Sequence, residues 1–186
     1  MSAIPVFEIG VWNAWIFMLI NFLPMPILMR IHKGLIEESL KSYGEANKAV
    51  YYIEWLLWAL AFVYSIFLPL RLGTIWFYIG LPIVVIGVVT FVMVLVPFIT
   101  TPIGKEPVTT GLYRYSRHPM YVTQLVMFIG AGLACASWLF LLLSIVYTGL
   151  GLVYAGSEEQ MCLEKYGDAY REYMNRTPRY LGIPRA

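Results

Sequence analysis

Charge is scarce in this chain. Only 13% of its 186 residues are Asp, Glu, Lys or Arg, and the formal net charge is +2. So small a positive balance excludes nucleic acid as an expected partner. Cysteine is scarce too: the chain has two, Cys135 and Cys162. Neither has a neighbour at metal-ligand spacing and no CxxC element occurs, so no metal is expected. They read as two unpaired small hydrophobes, since Cys135 falls in an apolar hairpin and Cys162 in a polar tail. The first residues, "MSAIPVFEIGVWNAW", lack a basic region and a small-residue cleavage site. That argues against a removed signal peptide and for a retained first span. Internal repeats and low-complexity segments are also missing.

Apolar surface is abundant. Hydrophobic residues make up 60% of the chain, and mean hydropathy is +0.70. A soluble domain of this length could not hide so much of it, so lipid is the expected solvent. Residues 1–186 read as one membrane domain, with the first three spans in 1–99. Five apolar stretches recur: about Ile9–Met29, Val50–Leu70, Thr74–Ile99, Tyr121–Ala136 and Trp138–Ala155. The first three reach the roughly 20 residues a helix needs to cross the hydrocarbon core. The last two, joined by "ACASWL", read as a tight helical hairpin that must still cross, because irregular backbone is not tolerated in lipid. The fold class expected is therefore an all-α integral membrane protein with five transmembrane helices, a C-terminal helical hairpin and a cytoplasmic amphipathic helix.

The basic residues orient it. With the N-terminus outside, every Lys and Arg except Arg71 falls in a cytoplasmic segment. The positive-inside rule then predicts an outside N-terminus and a cytoplasmic C-terminus, in a cell inner membrane or endomembrane. The first cytoplasmic loop, "IHKGLIEESLKSYGEANKAV", has helix-like apolar spacing and reads as a short interfacial helix. After the last span, Ser157 and Gln160 fit a capping box. Cys162, Tyr166, Tyr170 and Tyr173 then fall on one face of a helix that Gly167 weakens and Pro178 ends.

Between the third and fourth stretches lies "GLYRYSRHPMY", Gly111–Tyr121. Pro119 suits a first helical turn. The free N–H groups there favour negative charge. Arg117 adds a fork of donors suited to carboxylate or phosphate, and His118 a ring that titrates near neutral pH. On composition the cluster serves equally as a juxtamembrane anchor of basic and aromatic residues. Glu158 and Glu159 sit at the same end of the chain's last span. They read either as partners of a helix dipole or as a pair placed to hold an ammonium group. Arg176 reads as a lipid-facing charge or as a guanidinium turned back over the site. Glu54, early in the second span, reads as an interface residue or as lining for a polar pocket. "GLG" at Gly149–Gly151 reads as a close helix approach.

Taken together, "GLYRYSRHPMY", the hydrophobic hairpin and "SEEQMCLEKYGDAYREYMNRTPR" resemble the isoprenylcysteine carboxyl methyltransferase superfamily, which includes membrane phospholipid N-methyltransferases. The resemblance covers about Val108–Arg179. The three N-terminal spans match only in hydropathy. It implies an S-adenosylmethionine-dependent membrane methyltransferase with a methyltransferase-like cofactor-binding region at 108–179. Gly111, Leu112 and Tyr113 would line the cofactor pocket and His118 and Tyr121 would lie against the cofactor. Pro119 and Tyr170 belong to the same set, with Glu158 and Glu159 near the cofactor's amino-acid portion. Arg117 and Arg176 match arginines thought to face the methyl acceptor, and Glu54 joins them as a candidate catalytic residue. The implied partners are membrane lipids and a lipophilic acceptor entering from the bilayer. The active site would open to the cytoplasm.

A carboxylate acceptor would need positioning and desolvation alone. An amine would first have to lose a proton to Glu54, Glu158 or His118. A rival shares the signature: membrane sterol reductases, which use NADPH, carry RHPNY-like motifs. Here Met120 follows Pro119, and Thr123–Gln124 stand where reductases commonly have Gly-Glu. These departures and the Glu158–Glu159 pair favour the methyltransferase. A protein that only binds lipid headgroups is the third reading.

Overall fold

The computed structural model describes residues 7–24, 30, 35–101 and 106–185, and the side chains of 35–47 and 50 lie outside that description. Among the described residues the protein is all-helical. Six α-helices run in the order α1 (Trp15–Phe22), α2 (Leu35–Ile66), α3 (Ile75–Thr100), α4 (Pro119–Ala134), α5 (Trp138–Tyr166) and α6 (Asp168–Arg176). A single 3-10 turn, Gly111–Arg114, stands between α3 and α4. The helix starts follow local chemistry. Ser137 caps α5 by accepting a hydrogen bond from the Phe140 N–H at 3.2 Å, satisfying one of the donors every helix start leaves free. Pro119 opens α4, where its missing N–H costs nothing.

Helices α3 and α4 make the tightest contact, and glycine permits it. A Cβ on Gly87 would stand 2.5 Å from the Met127 backbone nitrogen, and one on Gly130 would stand 2.4 Å from that of Val84. No side chain fits at those distances, so the two backbones touch directly, as small residues allow between helices in lipid. Met127, Phe128, Ala131 and Ala134 of α4 are buried beside this contact, with Val84 of α3 and Phe140 of α5.

The end of the bundle bearing the α2–α3 and α4–α5 connections is clamped by backbone bonds. Ala14 N–H donates to Leu68 C=O at 2.9 Å, Leu70 to Trp12 at 2.9 Å, and Arg71 to Ala134 at 2.9 Å. Asn13, buried, donates through Nδ2 to the carbonyls of Glu8 and Ile66. The opposite end gathers the start of α4, the end of α5, α6 and the residues that follow it.

Among the described residues, two helices are long and apolar enough to cross a membrane: α3, with 26 residues, and α5, with 29. At 1.5 Å per residue they reach about 39 Å and about 43 Å. Each exposes a row of large apolar side chains, Val85, Val89, Val92 and Val96 on α3 and Leu142, Ile145 and Val153 on α5. Surface of that kind belongs against lipid. The apolar part of α2, Tyr51–Ile66, and α4 are shorter. Around the expected first span, the described helix is only the eight residues of α1. Residues 25–29 of that stretch lie outside the described residues.

Two local expectations change. The loop expected to hold a separate interfacial helix instead joins the second apolar stretch, since α2 is continuous from Leu35 to Ile66; residues 31–34 lie outside the described residues. Likewise α5 runs through Ser157 to Tyr166, so Ser157 and Gln160 lie inside a helix and form no capping box. Side-chain signals for a helix start carry little weight once the preceding turn is already helical, because its carbonyls satisfy the same N–H groups. The break falls at Gly167 instead, with φ 59° and ψ −126°, a conformation open essentially only to glycine.

Candidate active site at the α4–α5 end

The site is assembled from the RHP turn, the last third of α5, and the chain beyond α6. Ser116 begins it. Its Oγ accepts a hydrogen bond from the His118 N–H at 3.1 Å, a local side-chain-to-backbone turn that shapes the entry to α4. His118 is the residue before the helix, yet its ring makes no capping bond and is free to reach α5.

There it lies between two carboxylates. Nδ1 is 3.2 Å from Glu158 Oε2, and Nε2 is 3.1 Å from Glu159 Oε1. A neutral imidazole has one N–H and one lone pair, so one nitrogen would face a carboxylate with nothing to donate. The doubly protonated ring satisfies both. Burial by itself lowers the His118 pKa, but hydrogen bonds from the ring to Glu158 and Glu159, with their charges, outweigh it and hold the value above the ordinary 6.5.

The two carboxylates have different surroundings. Glu158 accepts from the Tyr121 hydroxyl at 2.8 Å and its side chain is 30% exposed. Tyr121, one turn into α4, stacks its ring at 22° on His118. Glu159 is 3% exposed and takes three cationic partners. Arg179 binds it with both prongs, Nε to Oε1 at 3.0 Å and Nη2 to Oε2 at 2.7 Å. Arg117 Nε lies 3.3 Å from Oε1, near enough for charge attraction yet out of line for a hydrogen bond. With His118 protonated, three cations face two carboxylates, leaving the cluster one positive charge in excess.

Gly167 turns the chain so that α6 packs back on this cluster. Tyr170 and Tyr173 are buried with Tyr113, against Cys162, Leu163 and Tyr166. The one-face tyrosine pattern of the sequence is thus met by two helices. The Tyr173 hydroxyl donates to the carbonyls of Tyr113 at 2.7 Å and Ser116 at 3.3 Å, pinning α6 to the 3-10 turn. Burial pushes the hydroxyl pKa of Tyr113, Tyr170 and Tyr173 well up, so they serve as neutral donors and packing faces.

Other candidates stand apart. Gly111 and Leu112 belong to the 3-10 turn, Gly111 exposed and Leu112 half-buried in the tyrosine cluster. Glu54 of α2 is buried and stands beside the vacant side of Gly151, where a Cβ would meet Glu54 Oε1 at 3.3 Å and the Tyr121 ring at 2.7 Å. Gly151 therefore brings Glu54 and Tyr121 together, whereas nothing crowds Gly149. Arg176 is exposed and pairs with Glu172 on its own helix. It is not drawn into the cluster. Besides Arg117, the arginine that reaches it is Arg179, which in the sequence reads only as one of the basic residues setting orientation. The signal was its place directly after Pro178, where the chain leaves the helix at the same end as the glutamate pair.

Residues 98–169 match the phospholipid methyltransferase family. The match spans less than half of the chain. It contains the RHP turn, the whole of α4 and α5, and both glutamates. The chain is also 36% identical over 88 residues to a Delta(14)-sterol reductase of Mus musculus. That alignment covers 46% of this chain and 21% of the reductase, so the likeness is confined to about a fifth of the larger protein. The similarity to a membrane methyltransferase family over 98–169 and the two long apolar helices together point to a membrane protein.

Proposed function

We propose that the protein is an S-adenosylmethionine-dependent methyltransferase acting on a lipid or other lipophilic acceptor. The observation that carries this reading is His118 clasped between Glu158 and Glu159, within the region that matches the methyltransferase family. The donor set fits a zwitterionic cofactor: Glu158, 30% exposed, offers a carboxylate to an ammonium group. The N–H groups at the start of α4 favour the cofactor's carboxylate, and Tyr113 and Tyr170 offer packing faces. When bound, the cofactor supplies a methyl group on a sulfonium, open to in-line displacement.

The chain's own residues would then position and exclude. Tyr121 holds Glu158, and the buried tyrosine cluster keeps water from the inner wall. A carboxylate acceptor needs only alignment and desolvation. An amine must shed a proton, and a histidine kept protonated by two carboxylates is a poor base near neutral pH. Glu54, beside Tyr121, is the better candidate for that task. Arg117 and Arg176 are assigned to the acceptor side, Arg176 on reorienting from Glu172. In this reading the chain is one domain of five spans, with 108–179 as the cofactor region. Its N-terminus is outside, its C-terminus is cytoplasmic, and the site faces the cytoplasm where the cofactor is made.

The sterol-reductase likeness supports a second reading, an NADPH-dependent membrane oxidoreductase. It fits less well, because the alignment covers 21% of the reductase and Met120 and Thr123–Gln124 depart from the reductase-like motif. Calorimetry on the detergent-purified chain separates the two: S-adenosylhomocysteine binds and NADPH does not. The reverse result overturns the proposal, and binding of neither favours a lipid-binding protein without catalysis.

A further inference from the structure

We propose that the segment after α6, Thr177–Arg185, completes the cofactor site, and that Arg179 is the positioning residue through which it does so. The proposal rests on the methyltransferase reading above. The segment is strapped to the RHP turn on both sides of Arg179. Arg117 N–H donates to Pro178 C=O at 3.0 Å, and Gly182 N–H to Tyr115 C=O at 3.0 Å. Ser116 Oγ lies 3.4 Å from the Arg179 carbonyl, and Arg185 N–H donates to Arg176 C=O at 2.8 Å. These bonds leave the backbone at Arg179 little freedom.

From that fixed base the guanidinium makes two parallel contacts to Glu159. A glutamate carboxylate turns about three side-chain torsions, and a single contact does not set its plane. A two-pronged fork does. The plane matters because Oε1 also faces His118 Nε2 at 3.1 Å and Arg117 Nε at 3.3 Å. Arg179 thereby sets where His118 and Arg117 meet the carboxylate. It also remains 44% exposed, so its outer face is open to a water-soluble ligand arriving from the same side. The strap is thus a wall of the site and Arg179 its contact with the buried pair.

The test uses the full chain in detergent, with S-adenosylhomocysteine as the probe and thermal melting alongside calorimetry. Arg179→Gln is expected to raise Kd about tenfold and to lower Tm only modestly, since Glu159 keeps His118 and Arg117 as partners. Arg179→Lys keeps the charge without the fork and is expected to restore only part of the affinity. If Arg179→Gln does not fold, Arg179→Lys alone decides: weaker binding at unchanged Tm supports the role, and wild-type binding overturns it. Wild-type affinity in Arg179→Gln likewise overturns it while leaving the methyltransferase reading intact. A wild-type chain that binds no S-adenosylhomocysteine overturns that reading and this inference together.

Discussion

At the scale of single residues, the account turns on His118. Its folded pKa lies above 6.5, so the protonated ring stabilises the fold, fully at pH below that ordinary value. The contribution is lost as pH rises through the folded value. The melting temperature of the wild-type chain should therefore fall with rising pH above about 6.5, the ordinary pKa of the ring, and His118→Asn should flatten that slope. An identical slope in the variant would contradict the assignment. Glu159→Gln should be costly for a different reason. It leaves Arg117, His118 and Arg179 facing a buried amide in place of a charge, and losing one member of a buried ion cluster typically costs about 3–5 kcal/mol. Because Arg179 is partly exposed, the lower end is expected, read from denaturation in mixed micelles. The sequence made His118, Glu158 and Glu159 legible because charged residues beside hydrocarbon need partners. Arg179 was harder to see: it is one arginine among four after the last span, its place after Pro178 is its only local mark, and the fold turns it toward Glu159.

At the scale of helices, glycine governs two contacts with different consequences. Gly87→Ala would push a methyl to 2.5 Å from the backbone of α4. Overpacking of this kind costs about 1–3 kcal/mol, so Tm should drop with no direct loss of a site residue. Gly151→Ala would instead press on the Tyr121 ring and Glu54, and should weaken S-adenosylhomocysteine binding more than it lowers Tm. Equal effects on both quantities in both variants would contradict this division. Helix α6 supplies a third test. Arg176 is 61% exposed and its pair with Glu172 lies on the surface, so Arg176→Ala should leave Tm almost unchanged. Methyl transfer that is also intact in a reconstituted assay would remove Arg176 from the acceptor side. The sequence located the ends of α3 and α4 within about two residues, because hydropathy and Pro119 mark them. It misplaced the helix start at Ser157, since a side chain suited to capping cannot reveal that the helix already runs through it.

At the scale of the molecule, the sequence conveyed an apolar, all-helical chain with its polar residues gathered at one end, and the structure agrees for α3, α4 and α5. Of the first apolar stretch, the described residues show α1, and residues 25–29 lie outside the description. What remains to be decided is chemical. The proposed zwitterionic methyl donor rests on the cluster of three cations and two carboxylates within the stretch similar to phospholipid methyltransferases, and the alternative on partial identity with a sterol reductase. Calorimetric titration of the purified wild-type chain with S-adenosylhomocysteine and, separately, NADPH puts these against each other. Saturable binding of S-adenosylhomocysteine alone is the predicted result; saturable binding of NADPH alone would contradict the account.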